Sequence, residues 1–310
     1  VDSVALIHLL ASIGKYKLII AHVNHNLRDN SYVDQNFVED LASRLKIHFY
    51  CKILDPLKKK KNISNEDWGR SERYTFFDKI LYKTRADFIS TAHHGNDQIE
   101  TLLINLNRKT GNAGLRGIAH ERKKIIRPLL NFNKKEIYNF VRRHKIKFIE
   151  DTSNRDLSIQ RNYIRREVIR PWEDQYPDII KKISYSIKLF SEWHSSLDFL
   201  ITKYILPQIE KSKNKFKIKS SLIIDMPLTL QVRLLEILIN DHSIRFSKHN
   251  YKMMDYFINK PRVGNKYDIY NKWELRHERN YLVGYQKIKN ISSAPLNLSL
   301  NRPVHVNGYT

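Results

Sequence analysis

Apolar positions along the first half of the chain switch repeatedly between two periods. Over residues 4–10 they recur at the spacing of a helix face, and residues 17–23 (KLIIAHV) follow as a short β-forming run. Residues 32–45 place Val33, Phe37, Val38, Leu41 and Leu45 on one helix face, and residues 47–53 (IHFYCKI) are a second strand. A basic loop at residues 58–61 separates this strand from a helix predicted over 65–82, capped at Ser64 or Asn65. A third strand over 87–91, a helix over 96–107, a strand ending at Ile125 and Ile126, and a helix over 134–144 complete the pattern. Such alternation predicts an α/β fold, a parallel sheet flanked by helices, with ligands outside the carboxyl ends of the strands.

Beyond Pro171 the texture changes. Residues 176–204 read as helical with a break at Pro207, 211–219 (KSKNKFKIK) as a basic loop or short strand, and 227–240 and 248–259 as two helices. Strand-like runs occupy 266–285, with a turn at Asn271-Lys272. The expected organisation is a catalytic domain over 1–172, a mainly helical second domain over 173–262, and a small β element with the tail over 263–310.

Composition narrows the function classes. Hydrophobic residues make up 41% of the 310, enough for one large or two modest cores. No apolar run approaches the roughly 20 residues that span a bilayer, and no secretory leader pattern opens the chain. The single cysteine, Cys51, excludes an internal disulfide framework and any multi-cysteine metal site. A reducing cytoplasm is the expected location. Lys and Arg number 55 against 32 Asp and Glu, a formal charge of +23. That excess fits a polyanion partner, and it equally fits a Lys-, Asn- and Ile-rich composition bias.

Candidate chemistry clusters where the predicted strands end. Val1-Asp2-Ser3 precedes the first helix, and His25-Asn26-Leu27-Arg28 follows the first strand. Arg70 and Arg73 share a helix face beside Tyr74, as a phosphate clamp requires. In residues 91–101 (TAHHGNDQIET), Asp97 and Glu100 lie three apart on one face, suited to an ammonium group or a metal, with His94 as a proton carrier or a phosphate partner. Residues 108–117 (RKTGNAGLRG) hold three glycines and cations that include Arg116, which suit close backbone approach to an anion. Residues 150–171 contain Asn154, then Arg161, Asn162, Arg165 and Arg166 at helical spacing, a plausible face for RNA. Taken singly, each segment also reads as a helix cap, a surface loop or a solvated basic helix.

Their order together resembles the tRNA(Ile)-lysidine synthetase family of the PP-loop ATPase group, over residues 1–172 above all. The resemblance is carried by VDS at 1–3, VNHNLR at 23–28, the Arg70–Arg73–Tyr74 helix and AHHGNDQIET at 92–101. The glycine-rich loop to Gly117, RPLL at 127–130 and EDTSN followed by RNYIR within 150–165 complete it. It implies an adenine nucleotide α-hydrolase-like catalytic domain that uses ATP and Mg²⁺. The reaction implied joins free L-lysine to the wobble cytidine of tRNA(Ile) with a CAU anticodon. Val1, Asp2, Ser3 and His25 would lie at the nucleotide, with Asp2 also a magnesium contact. Asp2, Arg70, Arg73 and His94 would serve catalysis, and Asp97 and Glu100 would hold lysine. Arg116, Asn154, Arg161, Asn162 and Arg165 would face the tRNA. The resemblance leaves a homodimer open and gives no membrane role. Other readings are a tRNA-thiolating relative, an amidotransferase-type synthetase acting on a small acid, and a catalytically inactive RNA-binding relative. The family's phosphate loop reads SGGxDS and the sequence opens on its last three positions, so the expectation is weak ATP binding by this chain alone. Lys109 and Gly95 also depart from the residues common in the family.

Overall fold

The structure, a computed structural model, describes residues 1–27, 31–149, 156–241 and 248–287. It divides into two compact units, Val1–Ser195 and Ser196–Thr310.

The first unit begins with helix α1 (Asp2–Ile13), which Gly14 ends in a left-handed conformation, φ 68°. Strand β1 (Ile19–Asn24), helix α2 (Ser31–Arg44) and strand β2 (His48–Ile53) follow. The two strands pair in parallel, with Ile19 opposite His48 and Asn24 opposite Ile53. Helix α3 (Asn65–Thr84) starts at Ser64, whose hydroxyl accepts the Asp67 N–H. It covers this pair through a cluster of Val23, Leu54, Trp68, Phe76 and Ile80.

Strand β3 (Ile89–Ser90) is shorter than the five residues expected, because only Ile89 and Ser90 find ladder partners. Helices α4 (Gly95–Asn107) and α5 (Asn112–Leu115) lead to β4 (Glu121–Arg122) and β5 (Ile125–Ile126). Strand β5 lies parallel to β3 and antiparallel to β4. Helix α6 (Lys134–Arg143) is held at its start by Asn133 and Glu136, each side chain accepting the other's backbone N–H at 2.8 Å. It packs on α1 through Ala5, Leu6, Leu129, Ile137 and Val141. The parallel pairing and the flanking helices are those the alternating pattern predicts.

The arginine-rich segment is a helix of changing gauge. Helix α7 (Gln160–Tyr163) widens into a π-helical turn over Ile164–Ile169 and tightens again into α8 (Arg170–Gln175). Pro171 lies in the first turn of α8 and has no N–H to give, and the wide turn absorbs that loss. Ile164, Ile169 and Ile180 pack with Ile99 of α4. Helix α9 (Ile179–Leu200) closes the series, with the unit division inside it.

In the second unit residues 210–219 resolve as a hairpin, β6 (Glu210–Lys211) and β7 (Lys215–Lys219). Three helices, α10 (Ser220–Ile224), α11 (Leu228–Ile239) and α12 (Lys248–Asn259), separate it from β8 (Lys266–Ile269), β9 (Trp273–Glu278) and β10 (Tyr281–Gln286). The five strands form one antiparallel sheet in the order β6-β7-β10-β9-β8. The C-terminal strands thus recruit the basic segment far upstream. Period-2 alternation buries Phe216 and Ile218 of β7 and turns Lys215, Lys217 and Lys219 to the other face. No helix among the described residues is long and apolar enough to cross a membrane.

Gly284 faces Phe216 across the β7–β10 pair, and a Cβ there would overlap the buried Phe216 ring, itself stacked on Trp273 at 5.5 Å. Gly284→Ala is therefore expected to destabilise the protein by about 1–3 kcal/mol. A lowered urea midpoint at constant slope is the measurement that checks it.

Candidate active site

Three helices begin at one place. The packing of α1 against α6 sets their first residues side by side. Helix α4 is tied to the same point by backbone, because Gly95 N–H donates to the Phe132 carbonyl at 2.7 Å. The buried Asn96 side chain completes the junction: its Oδ1 accepts the Lys134 N–H at 2.8 Å and its Nδ2 reaches Glu173 at 3.3 Å. Each helix N-terminus carries about half a positive charge, so the junction favours an anion.

The carboxylates of Asp2 and Asp97 match that field, and a lysine lies among them. The Lys134 ammonium contacts both oxygens of Asp2 at 2.6 Å. His94 is 3% exposed, and its Nε2 lies 3.8 Å from Asp2 and 3.6 Å from Asp97. Its Nδ1 is buried with no hydrogen-bond partner. Asp97 accepts the His94 N–H at 2.9 Å. Burial pushes the Asp97 carboxyl up, but the His94 imidazole and N–H, with Arg161 and His93, outweigh it and hold the group below the usual carboxylate range.

Glu100, one turn further along α4, is 0% exposed. Arg161 Nε donates to its Oε2 at 2.7 Å, and Arg165 donates through Nε to Oε1 at 2.6 Å and through Nη2 to Oε2 at 3.1 Å. Both oxygens are engaged. Burial opposes the charge on Arg165, but Glu100, Asp97 and Asp2 overcome it and raise its pKa. The same guanidiniums lie 3.9 and 3.7 Å from Asp97 Oδ1.

A neighbouring group follows β1. His25 Nε2 meets Arg73 Nη2 at 3.3 Å, and its ring rests on Gly69, where a Cβ would come within 2.6 Å. Burial lowers the Arg73 pKa. Arg70 lies over the Tyr74 ring at 5.2 Å. His93 Nδ1 is bonded to Thr91 Oγ1 at 2.9 Å. Burial pushes His93 down to about 4; Asp97 opposes this, while Arg127, Arg70 and Arg161 add to it.

The expected residues thus fall into distinct places. Asp2, His94 and Asp97 converge at the junction, with Val1 as the residue preceding α1 and Ser3 exposed in its first turn. Arg161 and Arg165 meet Glu100, while Asn162 turns its amide onto the Asp156 carbonyl at 2.9 Å. The glycine-rich loop is tied to α4: Gln98 bonds both N–H and C=O of Ile118, and Asn105 Nδ2 donates to Gly114 O at 2.9 Å. Gly117 takes φ 61° against the Gln98 amide, where a side chain would collide. Arg116 Nε donates back to the Ala113 carbonyl at 3.1 Å. Asn154 and Arg28 lie outside the described residues. Sequence reading passed over Lys134, His93 and Asn96. The one legible signal for Lys134 was Asn133-x-x-Glu136, a helix start followed at once by two lysines, where cations are disfavoured.

The family described as the PP-loop domain matches residues 1–171, the segment that contains all of these groups except Glu173. A tRNA(Ile)-lysidine synthase of Francisella tularensis subsp. tularensis (strain WY96-3418) is 30% identical over 288 residues, 91% of this chain and 71% of the relative. The chain belongs to the tRNA(Ile)-lysidine synthase family. A member from Chlorobaculum tepidum is 35% identical over 217 residues, covering 67% of this chain and 64% of its own. One from Thermosipho africanus is 38% identical over 182 residues, or 57% and 43%. Among solved structures, a U34-tRNA thiolase NcsA from Methanococcus maripaludis with its [4Fe-4S] cluster superposes with TM-score 0.52 at 15% identity. It covers 61% of this chain and 68% of that one, and shares the fold.

Within this lysidine synthase family member, the position of His93 has a measurable consequence. Its value of about 4 lies below the ordinary 6.5, so between those pH values the unfolded chain binds a proton that the folded chain refuses. The stability this contributes is present above pH 6.5 and lost as pH falls to about 4. Denaturant midpoints measured across that window are expected to fall with pH, and His93→Gln should flatten the slope. Long-range ¹H–¹⁵N NMR at pH 5.5 should show a neutral imidazole; a doubly protonated ring would contradict the assignment.

Proposed function

We propose that the chain is a carbon–nitrogen ligase that joins L-lysine to C2 of the wobble cytidine, position 34, of tRNA(Ile) with a CAU anticodon. ATP is spent to AMP and pyrophosphate, and the product lysidine redirects decoding from AUG to AUA. The observation that carries the reading is the meeting of three helix N-termini at Asp2, His94 and Lys134, with Asp97 alongside. A polyphosphate site there adjoins a carboxylate suited to an amine. The names of the similar family members support the choice of tRNA and lysine.

The chemistry takes two displacements. The cytidine O2 attacks the α-phosphorus of ATP and pyrophosphate departs with the electron pair. The lysine ε-amine, having lost a proton, then attacks C2, and the C2–O bond breaks to release AMP. Charge at phosphorus is stabilised by the junction and by Arg70 and Arg73 near His25. Asp97 holds the lysine ammonium, and His94 accepts the proton given up before attack. Glu100 acts through Arg161 and Arg165, locking them beside Asp97. The exposed parts of those guanidiniums, with Arg116, Asn154 and Asn162, serve the tRNA. Lys215, Lys217 and Lys219 add a basic face in the second unit, where Lys217 lies over Tyr281 at 3.8 Å and Lys215 over Tyr285 at 5.0 Å.

Among the described residues no group of three or more His, Cys, Asp or Glu is placed to hold a metal. Magnesium with ATP is ordinarily held by one or two carboxylates and the phosphates, and Asp2 fits that need. When bound it would neutralise phosphate charge. A thiolation reading finds less support, because the sole cysteine cannot hold a cluster that uses four thiolates.

Mass spectrometry of nucleosides from tRNA treated with the protein, ATP and lysine tests the proposal. A lysidine mass is expected; a thiolated nucleoside, or unmodified cytidine beside intact RNA binding, would favour the alternative relatives. Asp97→Asn should raise the lysine KM by about 10–100-fold, the worth of one charged hydrogen bond, with the ATP KM within about twofold. Unchanged lysine dependence would remove Asp97 from the amine site.

A further inference from the structure

The Lys134–Asp2 pair is costly where it stands. Lys134 opens α6, where the helix dipole repels a cation, and it faces two further helix N-termini at α1 and α4. Its side chain is 32% exposed and that of Asp2 28%, so the pair gains little as a stabilising bridge. Yet the residue is fixed with care. Its N–H is accepted by buried Asn96, its helix start is locked by Asn133 and Glu136, and its ammonium lies 5.1 Å from the Tyr138 ring centre. The backbone is anchored, while the side chain remains partly exposed and is held at its ammonium by Asp2 and Tyr138.

A second observation points to a ligand at the same place. The His94 side chain is 4% exposed, its Nδ1 has no partner, and its Nε2 is beyond hydrogen-bond distance of both Asp2 and Asp97. A buried imidazole left this way costs free energy unless something arrives to use it. The arriving group is an anion, since the three helix ends, the lysine and the imidazole all favour negative charge. Asp2 holds the place that such an anion would take.

We propose that Lys134 is a catalytic residue of the adenylation step, exchanging its bond to Asp2 for one to the β- and γ-phosphates of ATP. The inference rests on the ATP-dependent reading above. As the bond from the α-phosphorus to its bridging oxygen breaks, the electron pair leaves on pyrophosphate, and the Lys134 ammonium donates hydrogen bonds to that charge. No proton is transferred. Asp2, released from the lysine, would be free to hold magnesium, which would neutralise phosphate charge.

Inorganic pyrophosphate titrated by calorimetry into the full chain, with EDTA present, separates this role from a structural one. Lys134→Met should weaken pyrophosphate binding by about 10–100-fold, and Lys134→Arg should recover most of it. Asp2→Asn should tighten binding, because the lysine no longer has to leave a carboxylate. A structural bridge would instead make Lys134→Met and Asp2→Asn change affinity in the same direction, and that result overturns the proposal. So does unchanged binding by Lys134→Met while the wild-type chain binds pyrophosphate, an outcome that leaves the ATP-dependent reading intact. Absence of both pyrophosphate and ATP binding by the wild-type chain overturns that reading along with the proposal. Thermal melts of each variant separate lost binding from lost folding.

Discussion

The Glu100 carboxylate is the constraint around which the catalytic unit is arranged. A carboxylate at 0% exposure is untenable without partners, because removing one member of a buried ion pair costs several kcal/mol. Two arginines from a segment some sixty residues downstream supply the compensation. Their spacing of four places both on one side of the helix that runs from α7 into the π-helical turn, and Ile164 and Ile169 anchor that turn on Ile99. The charge pairing and the apolar contact specify the same docking, so neither can slip without exposing the other. Asp97, one turn earlier on α4, then inherits a guanidinium-rich neighbourhood that it did not create.

That arrangement divides labour among carboxylates that look interchangeable in sequence. Asp97 is only partly engaged, and Glu100 is saturated on both oxygens. Asp2 faces an ammonium at the meeting of three helix starts. Burial and partner number separate a group that can receive a ligand from one that can only position others. His93 and His94 divide in the same way. His93 is tied to Thr91, and burial, with nearby arginines adding to it, lowers its pKa, whereas His94 is more deeply buried and retains an unpartnered nitrogen.

Much of the fold was legible in the chain because its signals are local. Amphipathic spacing located α2, the cap at Ser64 or Asn65 located the start of α3, and β-rich runs located β1 and β2. The sheet of the second unit was hidden for the opposite reason. The alternation in KFKIK is a strand signal, but its partner β10 lies more than sixty residues away, and pairing that distant leaves no mark in a local window. The π-helical turn escaped because a proline two residues from its end reads as a helix stop, whereas a widened turn lets the helix continue.

The site shows the same division between types and pairings. Motif order brought out Asp2, His94, Asp97, Glu100, Arg161 and Arg165, all of which lie in one neighbourhood. It could not state which cation meets which carboxylate, since those choices are made by helix packing. Lys134 is the clearest case. Nothing distinguishes it from Lys135 in sequence, and both sit at the start of α6. The packing of Ile137 and Val141 against Ala5 and Leu6 turns one lysine toward Asp2 and leaves the other exposed. A cation held against three helix dipoles is unfavourable until an anion shares the site. The fold therefore stores at this junction an affinity for negative charge that Asp2 satisfies only in part, and a polyphosphate with several anionic oxygens satisfies it more fully than one carboxylate can.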